Sequence, residues 1–303
     1  SLSTLNRETG FATRRVRLPR FAVAAAFVAS FQGSVSATDG LRTSPANAPL
    51  STQKLERITD YFNRQVGDGK IPGAVVLIQR GGKPVYLHSF GTVDPRSGEP
   101  MTQDAIFRLY SMTKPITSVA AMILVNDGKL GLDDPLSKYI PSFSTMFVGI
   151  ESQSEEGDGV LTLERAVRPI TIKDLLRQSA GIPYGFYGEG LVRKAYGNAD
   201  FLSPDLDNAL LAEKIALLPL HEQPGTVWDY GYATDVLGRV IEVVSGQSLY
   251  EFEKEHLLDP LGMIDTAFHV ANPDKRRLIA EPLLSERTLT VERERSPREL
   301  TKW

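Results

Sequence analysis

The sequence contains no cysteine among its 303 residues. Disulfide bonds, thiolate metal sites and a cysteine nucleophile are therefore excluded, although this absence does not fix the cellular compartment. Histidine is also scarce, and no metal-ligand spacing connects His88, His221, His256 and His269. The sequence therefore predicts no metal site and no cofactor, and the four histidines are expected to be ordinary surface or half-buried side chains.

An excess of either charge is lacking as well, since the formal net charge is −3 and the sequence pI is about 5.9. Without a basic footprint, nucleic acid is not an expected partner. A hydrophobic content of 42% and a charged content of 23% are those of an ordinary globular protein. A chain of this length could fold as one large domain or as two small ones.

No hydrophobic run is long enough to span a bilayer comfortably, and the best candidate is the apolar segment Phe21–Phe31. A basic run that contains Arg14, Arg15, Arg17 and Arg20 directly precedes this segment, and Val35-Ser36-Ala37 forms a cleavage-type ending after it. The pattern predicts a secretory signal peptide over residues 1–37, cleaved after Ala37. A secreted or periplasmic protein without a stable membrane span is expected, and Thr13-Arg14-Arg15 leaves Sec and twin-arginine export both open.

The remaining chain divides by composition. Residues 38–50 are small and polar and are predicted to be a linker, residues 51–270 a folded domain, and residues 271–303 a charged tail. The tail is expected to be solvated, because it mixes glutamate and arginine with little periodicity between Ser285 and Arg298.

Periodicity predicts both helices and strands in the domain. Apolar residues recur at helical spacing after Ser51 and again in Ala233–Val244, which predicts two helices. Two β-rich runs around Gly81-Gly82 predict an antiparallel hairpin. The acidic stretch 152–159 and the Gly- and Tyr-rich stretch Tyr184–Tyr196 are predicted to be surface loops.

A hydroxyl and an amine lie three residues apart in Phe107-Arg108-Leu109-Tyr110-Ser111-Met112-Thr113-Lys114, at the predicted start of an apolar helix. Three residues are close to one helical turn, so Ser111 and Lys114 should share a face. Serine becomes a good nucleophile only when a base takes its proton. Lys114 could be that base if burial or nearby positive charge lowered its pKa from about 10.4.

The Ser-x-x-Lys spacing alone is weak evidence, because a chain of this length should contain roughly one by chance. A second pair does occur at Ser51 and Lys54. There, Ser51 or Thr52 is predicted to be a helix N-cap, with Lys54 on a solvated first turn.

Further blocks distinguish the Ser111 segment. They are Gly128-Lys129-Leu130-Gly131-Leu132-Asp133-Asp134-Pro135, Ile170-Thr171-Ile172-Lys173-Asp174-Leu175-Leu176, Ser179-Ala180-Gly181-Ile182, Trp228-Asp229-Tyr230-Gly231-Tyr232-Ala233-Thr234-Asp235-Val236-Leu237-Gly238 and Pro260-Leu261-Gly262-Met263. In order and spacing they resemble the serine β-lactamase and penicillin-binding protein superfamily over residues 51–270. The resemblance is closest to the branch with class C β-lactamases, D-alanyl-D-alanine carboxypeptidases and family VIII esterases.

This resemblance implies an α+β fold of the β-lactamase/transpeptidase type, with an antiparallel sheet, flanking helices and a helical lobe. It implies acyl transfer to Ser111, with Lys114 as one base and Tyr230 as a second base or acid. The Ser111 amide near a helix N-terminus would supply one oxyanion donor. Tyr110 and Tyr232 are the candidate substrate-binding residues, and the implied partner is a small ester, amide or peptide.

Two departures from the family pattern bear on function. Tyr232 stands where the family often has an asparagine that would hold a β-lactam side chain, which favours an esterase over a β-lactamase. No Lys/His-x-Gly strand motif occurs between Tyr230 and Trp303. An incomplete sheet that lacks the second oxyanion donor is therefore expected. The chain is interpreted as a C-terminally truncated copy, which could be a fragment, a truncated reading frame or a protein that needs a partner.

Three functions are compatible with these patterns. The first is a serine hydrolase of esterase or carboxypeptidase type, with β-lactams as further candidate substrates. The second is an impaired homologue that binds a ligand without turnover. The third is a Ser-His-Asp esterase, which is disfavoured because no G-x-S-x-G nucleophile elbow occurs.

Overall fold

The structure is a computed structural model that describes residues 50–201, 203 and 206–283. The predicted signal peptide, nearly all of the predicted linker and the segment from Ser285 to Arg298 lie outside these residues. The chain divides into two units between Leu50 and Ser51, and the described helices and strands belong to the unit that begins at Ser51. Within the described ranges, no helix is both long and apolar enough to cross a membrane.

The described residues contain seven α-helices and five strands, linked by shorter helical turns. The helices are α1 (Thr52–Gly67), α2 (Thr113–Asn126), α3 (Ile172–Leu176), α4 (Leu191–Gly197), α5 (Asn208–Ala216), α6 (Ala233–Ser245) and α7 (Leu249–Glu253). The strands are β1 (Gly73–Arg80), β2 (Lys83–Asp94), β3 (Glu99–Pro100), β4 (Phe147–Gln153) and β5 (Gly159–Arg165). Four 3₁₀ turns cover Tyr110–Met112, Leu136–Lys138, Pro141–Ser144 and Pro273–Leu278, and one π turn covers Lys254–Leu258.

The predicted hairpin is confirmed as β1 and β2, which pair antiparallel from Gly73 opposite Gly91 to Arg80 opposite Lys83. Strand β3 extends this sheet in the order β1-β2-β3. Gly91 has a φ of 66°, and a Cβ there would lie 2.2 Å from the carbonyl oxygen of Pro72. The ends of the two strands approach so closely that glycine is required at this position.

Helix α6 forms the centre of the helical lobe, because one of its faces is fully apolar. Ala233, Val236, Leu237, Val240 and Ile241 recur at helical spacing and are at most 1% exposed. The helix ends at Gly246, a left-handed C-cap. Helices α2, α3 and α5 pack against it around one hydrophobic core. The predicted α+β class is therefore confirmed.

Two surface-loop predictions are wrong in part. The acidic stretch 152–159 is only the turn of a second antiparallel hairpin, formed by β4 and β5. Most side chains of this hairpin are exposed or half-buried, so its strands lack the alternation that identifies a strand in sequence. The stretch Tyr184–Tyr196 ends in helix α4, where Val192 and Tyr196 are at most 1% exposed.

The boundary predicted at residue 270 does not mark the end of the packed chain. Ile279 forms a parallel bridge with Ile106, just before the nucleophile segment. Arg108 donates hydrogen bonds to the Ala280 carbonyl at 2.8 Å and to the Glu281 carboxylate at 3.2 Å. Glu281 is only 7% exposed and forms an ion pair with Arg108 at 3.2 Å. Charge alone therefore misidentifies residues 279–281 as part of a solvated tail.

Candidate active site

Ser111 lies in the 3₁₀ turn that leads into α2, and its side chain is exposed. The preceding residue, Tyr110, has a φ of 47° in the left-handed region. For a residue other than glycine this conformation costs about 1–2 kcal/mol. Such strain, placed directly beside a candidate nucleophile, is a frequent feature of functional sites.

Lys114 begins α2 together with Thr113, one turn after Ser111, as the spacing predicts. Its Nζ donates a hydrogen bond to the Ser111 Oγ at 3.4 Å. This distance is long, as catalytic hydrogen bonds often are when no substrate is bound. The predicted juxtaposition of Ser111 and Lys114 is therefore present in the structure.

Tyr230 precedes α6, and residues on both sides of it are bound by Gln178. The Gln178 carbonyl accepts the Asp229 N–H at 2.8 Å, and its side-chain oxygen accepts the Gly231 N–H at 3.3 Å. A Cβ at Gly231 would lie 1.9 Å from the carbonyl oxygen of Ile182, so glycine is required there. These contacts fix the backbone on both sides of Tyr230.

The fold brings the Tyr230 phenol to Ser111 and Lys114. The Lys114 Nζ lies 4.6 Å from the centre of the Tyr230 ring. Burial acts to raise the pKa of Tyr230, but hydrogen bonding to Ser111 and Lys114 outweighs burial and lowers this pKa below its ordinary value. Tyr230 is therefore adapted to give up its proton.

The pKa of Lys114 is raised, whereas a lowered pKa is the condition for its role as the base. Burial acts to lower its pKa, but hydrogen bonds to Tyr184 and Tyr230 outweigh burial and raise the pKa above its ordinary value. A lysine base needs a lowered pKa. The assignment of Lys114 as a base is therefore not supported, and its side chain is an ammonium at neutral pH.

Tyr184 was missed as a site residue because it falls in the stretch predicted to be a surface loop. Its Oη accepts a hydrogen bond from the Lys114 Nζ at 3.0 Å. Its ring contacts Tyr230 edge-on, with the ring centres 5.5 Å apart. The one available signal was its position, directly after the block that ends in Gly181-Ile182.

The two predicted substrate-binding residues have different surroundings. Tyr232 is only 9% exposed, and its ring packs edge-on against Tyr184 at 4.5 Å and against Phe201 at 4.9 Å. Burial raises its pKa to about 12. Tyr232 therefore supports Tyr184 from the core instead of lining an open pocket, whereas Tyr110 is 76% exposed beside Ser111.

Asp235, in the first turn of α6, is a further site residue, after Tyr184, that the sequence did not reveal. Burial raises its pKa to about 6, while the charge of Lys114 acts in the opposite direction. It is electrostatically coupled to Tyr184 and Tyr230 as well. The Lys114 ammonium therefore has a half-buried carboxyl group in its electrostatic environment.

Exposed aromatic side chains form a rim at this site, which we call the aromatic rim: Phe186, Tyr187 and Trp228. Phe186 stacks on Tyr184 at 4.7 Å, and Trp228 stacks on Tyr230 at 6.0 Å. Their side chains are 52–69% exposed. The rim offers an apolar surface next to the nucleophile.

Among residues 50–201, 203 and 206–283, no histidine is hydrogen-bonded to Ser111 in a Ser-His-Asp arrangement. The His221 Nδ1 does lie 3.0 Å from the Asp229 carboxylate. However, the Ser111 Oγ accepts its hydrogen bond from the Lys114 Nζ, and Ser111 is also hydrogen-bonded to Tyr230. In the part of the chain that the structure describes, no cluster of three or more metal-ligating side chains could hold a metal ion.

A helical lobe beside an antiparallel sheet, with a Ser-Lys pair facing a tyrosine, defines the serine β-lactamase and transpeptidase class of fold. Among solved structures, EstCE1, a hydrolase with promiscuous acyltransferase activity, matches with a TM-score of 0.62 and 30% identity, over 77% of this chain and 60% of that one. The chain belongs to the Beta-lactamase family, which it matches over residues 58–301.

Curated relatives extend the comparison. Protein Rv1367c of Mycobacterium tuberculosis is 38% identical, over 71% of this chain and 52% of its own length. Esterase EstB of Burkholderia gladioli is 34% identical, over 72% of this chain and 53% of its own length. Lovastatin esterase of Penicillium rubens is 35% identical, over 73% of this chain and 55% of its own length. The chain thus spans about half the length of these relatives.

Proposed function

We propose that this protein is a serine hydrolase of esterase type that forms an acyl-enzyme at Ser111. The observation that carries the proposal is the convergence of three groups: an exposed Ser111 hydroxyl, a Lys114 ammonium at 3.4 Å and a Tyr230 phenol of lowered pKa. The esterases among its relatives support the same class of reaction.

In the proposed reaction, the Tyr230 phenolate takes the proton of Ser111 while the Oγ bonds to the carbonyl carbon of the ester. The Lys114 ammonium stabilises the phenolate before this transfer. The phenol then protonates the departing alkoxide, and the acyl group remains on Ser111. Water attacks the acyl-enzyme with Tyr230 again accepting the proton, which returns to the Ser111 Oγ as the carboxylic acid leaves.

We infer that the preferred substrates are esters with an apolar acyl or alcohol group. The aromatic rim supports this, because exposed rings gain from covering apolar surface, at about 25 cal/mol for each Å² buried. Tyr232 occupies the position where the family pattern often has an amide, which disfavours a β-lactam side chain as the preferred group.

Acid-quenched mass spectrometry with p-nitrophenyl butyrate tests the proposal. The unmutated protein should gain the mass of one butyryl group, and Ser111→Ala should not. Ser51→Ala is the matched control, because Ser51 belongs to the other Ser-x-x-Lys pair and caps α1 by accepting the Lys54 N–H. It should cost about 1 kcal/mol of stability and leave acylation intact. An unmodified wild-type protein would contradict the proposal.

A second candidate function is ligand binding without turnover. It is favoured by the raised pKa of Lys114, because an ammonium cannot take the proton of the Ser111 hydroxyl. Steady release of p-nitrophenol over many turnovers, abolished by Tyr230→Phe, would exclude this alternative. A single acylation without further release would support it.

We also propose export by the signal peptide predicted over residues 1–37. N-terminal sequencing of the exported protein should begin after Ala37. Retention of the full-length chain in the cytoplasm would contradict export.

A further inference from the structure

Arg193 connects the two tyrosines of the site through their backbone segments. Its Nη1 donates a hydrogen bond to the Tyr184 carbonyl at 3.1 Å. Its Nη2 donates to both oxygens of Asp229, at 2.9 and 3.0 Å, and Asp229 directly precedes Tyr230. One guanidinium group therefore joins the segment of Tyr184 to the segment of Tyr230.

The surroundings of Arg193 make this connection rigid. The side chains of Arg193 and Asp229 are each 12% exposed, so the ion pair is largely shielded from water. Arg193 lies on α4, whose first turn is fixed where the Val192 N–H donates to the Glu151 carboxylate at 3.0 Å. The chain also passes over the guanidinium, since a Cβ at Gly188 would lie 3.3 Å from the Arg193 Nε.

We propose that Arg193 is a positioning residue that holds Tyr184 and Tyr230 at the separation at which both phenols contact the Lys114 ammonium. This inference rests on the proposed function. The planar fork of arginine can bind a carbonyl and a carboxylate at once, whereas the point charge of lysine has no such fixed geometry. Displacements of about 1 Å can cost about 100-fold in rate.

Arg193→Met should lower kcat on p-nitrophenyl butyrate about 10- to 100-fold while KM changes by less than about 2-fold, because geometry is lost and the aromatic rim remains. Arg193→Lys keeps a positive charge beside Asp229 but lacks the fixed fork of arginine. Compared with Arg193→Met, it should therefore recover more of the folding stability than of kcat. Arg239→Met is the matched control. Arg239 also pairs with a carboxylate, that of Glu242 at 3.1 Å, and both residues of this pair lie on α6.

A direct titration of Tyr230 separates positioning from a merely structural role. The absorbance of its phenolate is obtained as the difference between each protein and the same protein carrying Tyr230→Phe. Hydrogen bonds to Ser111 and Lys114 and the charges of Lys114 and Asp235 all act on this titration, so it reports the local geometry. With Arg193→Met the midpoint should rise towards the ordinary tyrosine pKa, and with Arg239→Met it should not move.

The results also distinguish this inference from the proposed function. If the unmutated protein neither forms an acyl-enzyme nor turns over, the proposed function fails and the titration alone decides the role of Arg193. The inference is overturned if Arg193→Lys and Arg193→Met both leave the Tyr230 midpoint in place. It is also overturned if Arg239→Met lowers kcat as much as Arg193→Met does.

Discussion

A buried carboxyl group behind the nucleophile helix predicts an unusual dependence of stability on pH. Glu253, at the end of α7, is 2% exposed and accepts a hydrogen bond from the Thr117 hydroxyl of α2 at 2.9 Å. Burial raises its pKa to about 7 from the ordinary value of 4.5, although the hydrogen bond from Thr117 acts to lower it. The folded protein therefore favours the neutral acid.

The sign follows from linkage between protonation and folding. Because the pKa is higher in the folded state, the contribution of Glu253 to stability is fully present below about pH 4.5 and is lost as pH rises through about 7. A shift from 4.5 to about 7, at 1.36 kcal/mol for each pKa unit, corresponds to a loss of about 3 kcal/mol. About 2.5 kcal/mol of this loss should fall between about pH 5 and about pH 8.

Glu253→Gln should remove this dependence, because the amide oxygen can still accept the Thr117 hydroxyl but cannot ionise. Urea unfolding followed by tryptophan fluorescence measures the free energy of unfolding at both pH values. Glu251→Gln is the control on the same helix. Glu251 is a capping residue whose pKa is lowered by its hydrogen bonds to Ser248, so its own contribution acts in the opposite direction with pH. An equal difference between wild type and Glu253→Gln at both pH values would refute the reasoning.

Two further substitutions test contacts of the site. Tyr184→Phe removes the acceptor 3.0 Å from the Lys114 Nζ and should lower kcat about 10-fold, as lost catalytic hydrogen bonds do, with urea unfolding little changed. If the free energy of unfolding fell by as much as the activation free energy rose, the proposed contact of Tyr184 with Lys114 would not be specific to catalysis. Arg108→Met removes the guanidinium that binds Ala280 and Glu281, and should cost about 3 kcal/mol in the free energy of unfolding. A change within about 0.5 kcal/mol would show that residues 279–281 do not stabilise the fold.

The elements that the sequence predicts are those with a strong local signal. In helix α6 this signal is the periodic apolar face, and in the β1–β2 hairpin it is the pair of β-rich runs around the Gly81-Gly82 turn. The β4–β5 hairpin does not, because most of its side chains remain partly exposed on both faces. The pairing of Arg108 with Glu281 spans 173 residues and leaves no local pattern at all.

The candidate site divides in the same way. Ser111 and Lys114 share one helical turn, and the resemblance supplies Tyr230. The direction of a pKa shift, however, depends on neighbours from several segments, and Tyr184 and Asp235 reach Lys114 only in the folded chain. Burial alone would lower the pKa of Lys114, but the hydrogen bonds to two phenols outweigh the desolvation and raise this pKa.

The charge of Lys114 acts on three acids at once, and this explains how it persists in a half-buried site. A buried cation is tolerated when opposite charge lies near it. Above about pH 6 Asp235 is largely ionised and can supply that charge, which also acts to raise the pKa of Tyr230. The lowered pKa of Tyr230 is therefore a net result, in which hydrogen bonds from Ser111 and Lys114 exceed the opposition of burial and Asp235. It follows that Tyr230 depends on those hydrogen bonds for its acidity, and that the placement of its ring decides whether it can act as the base.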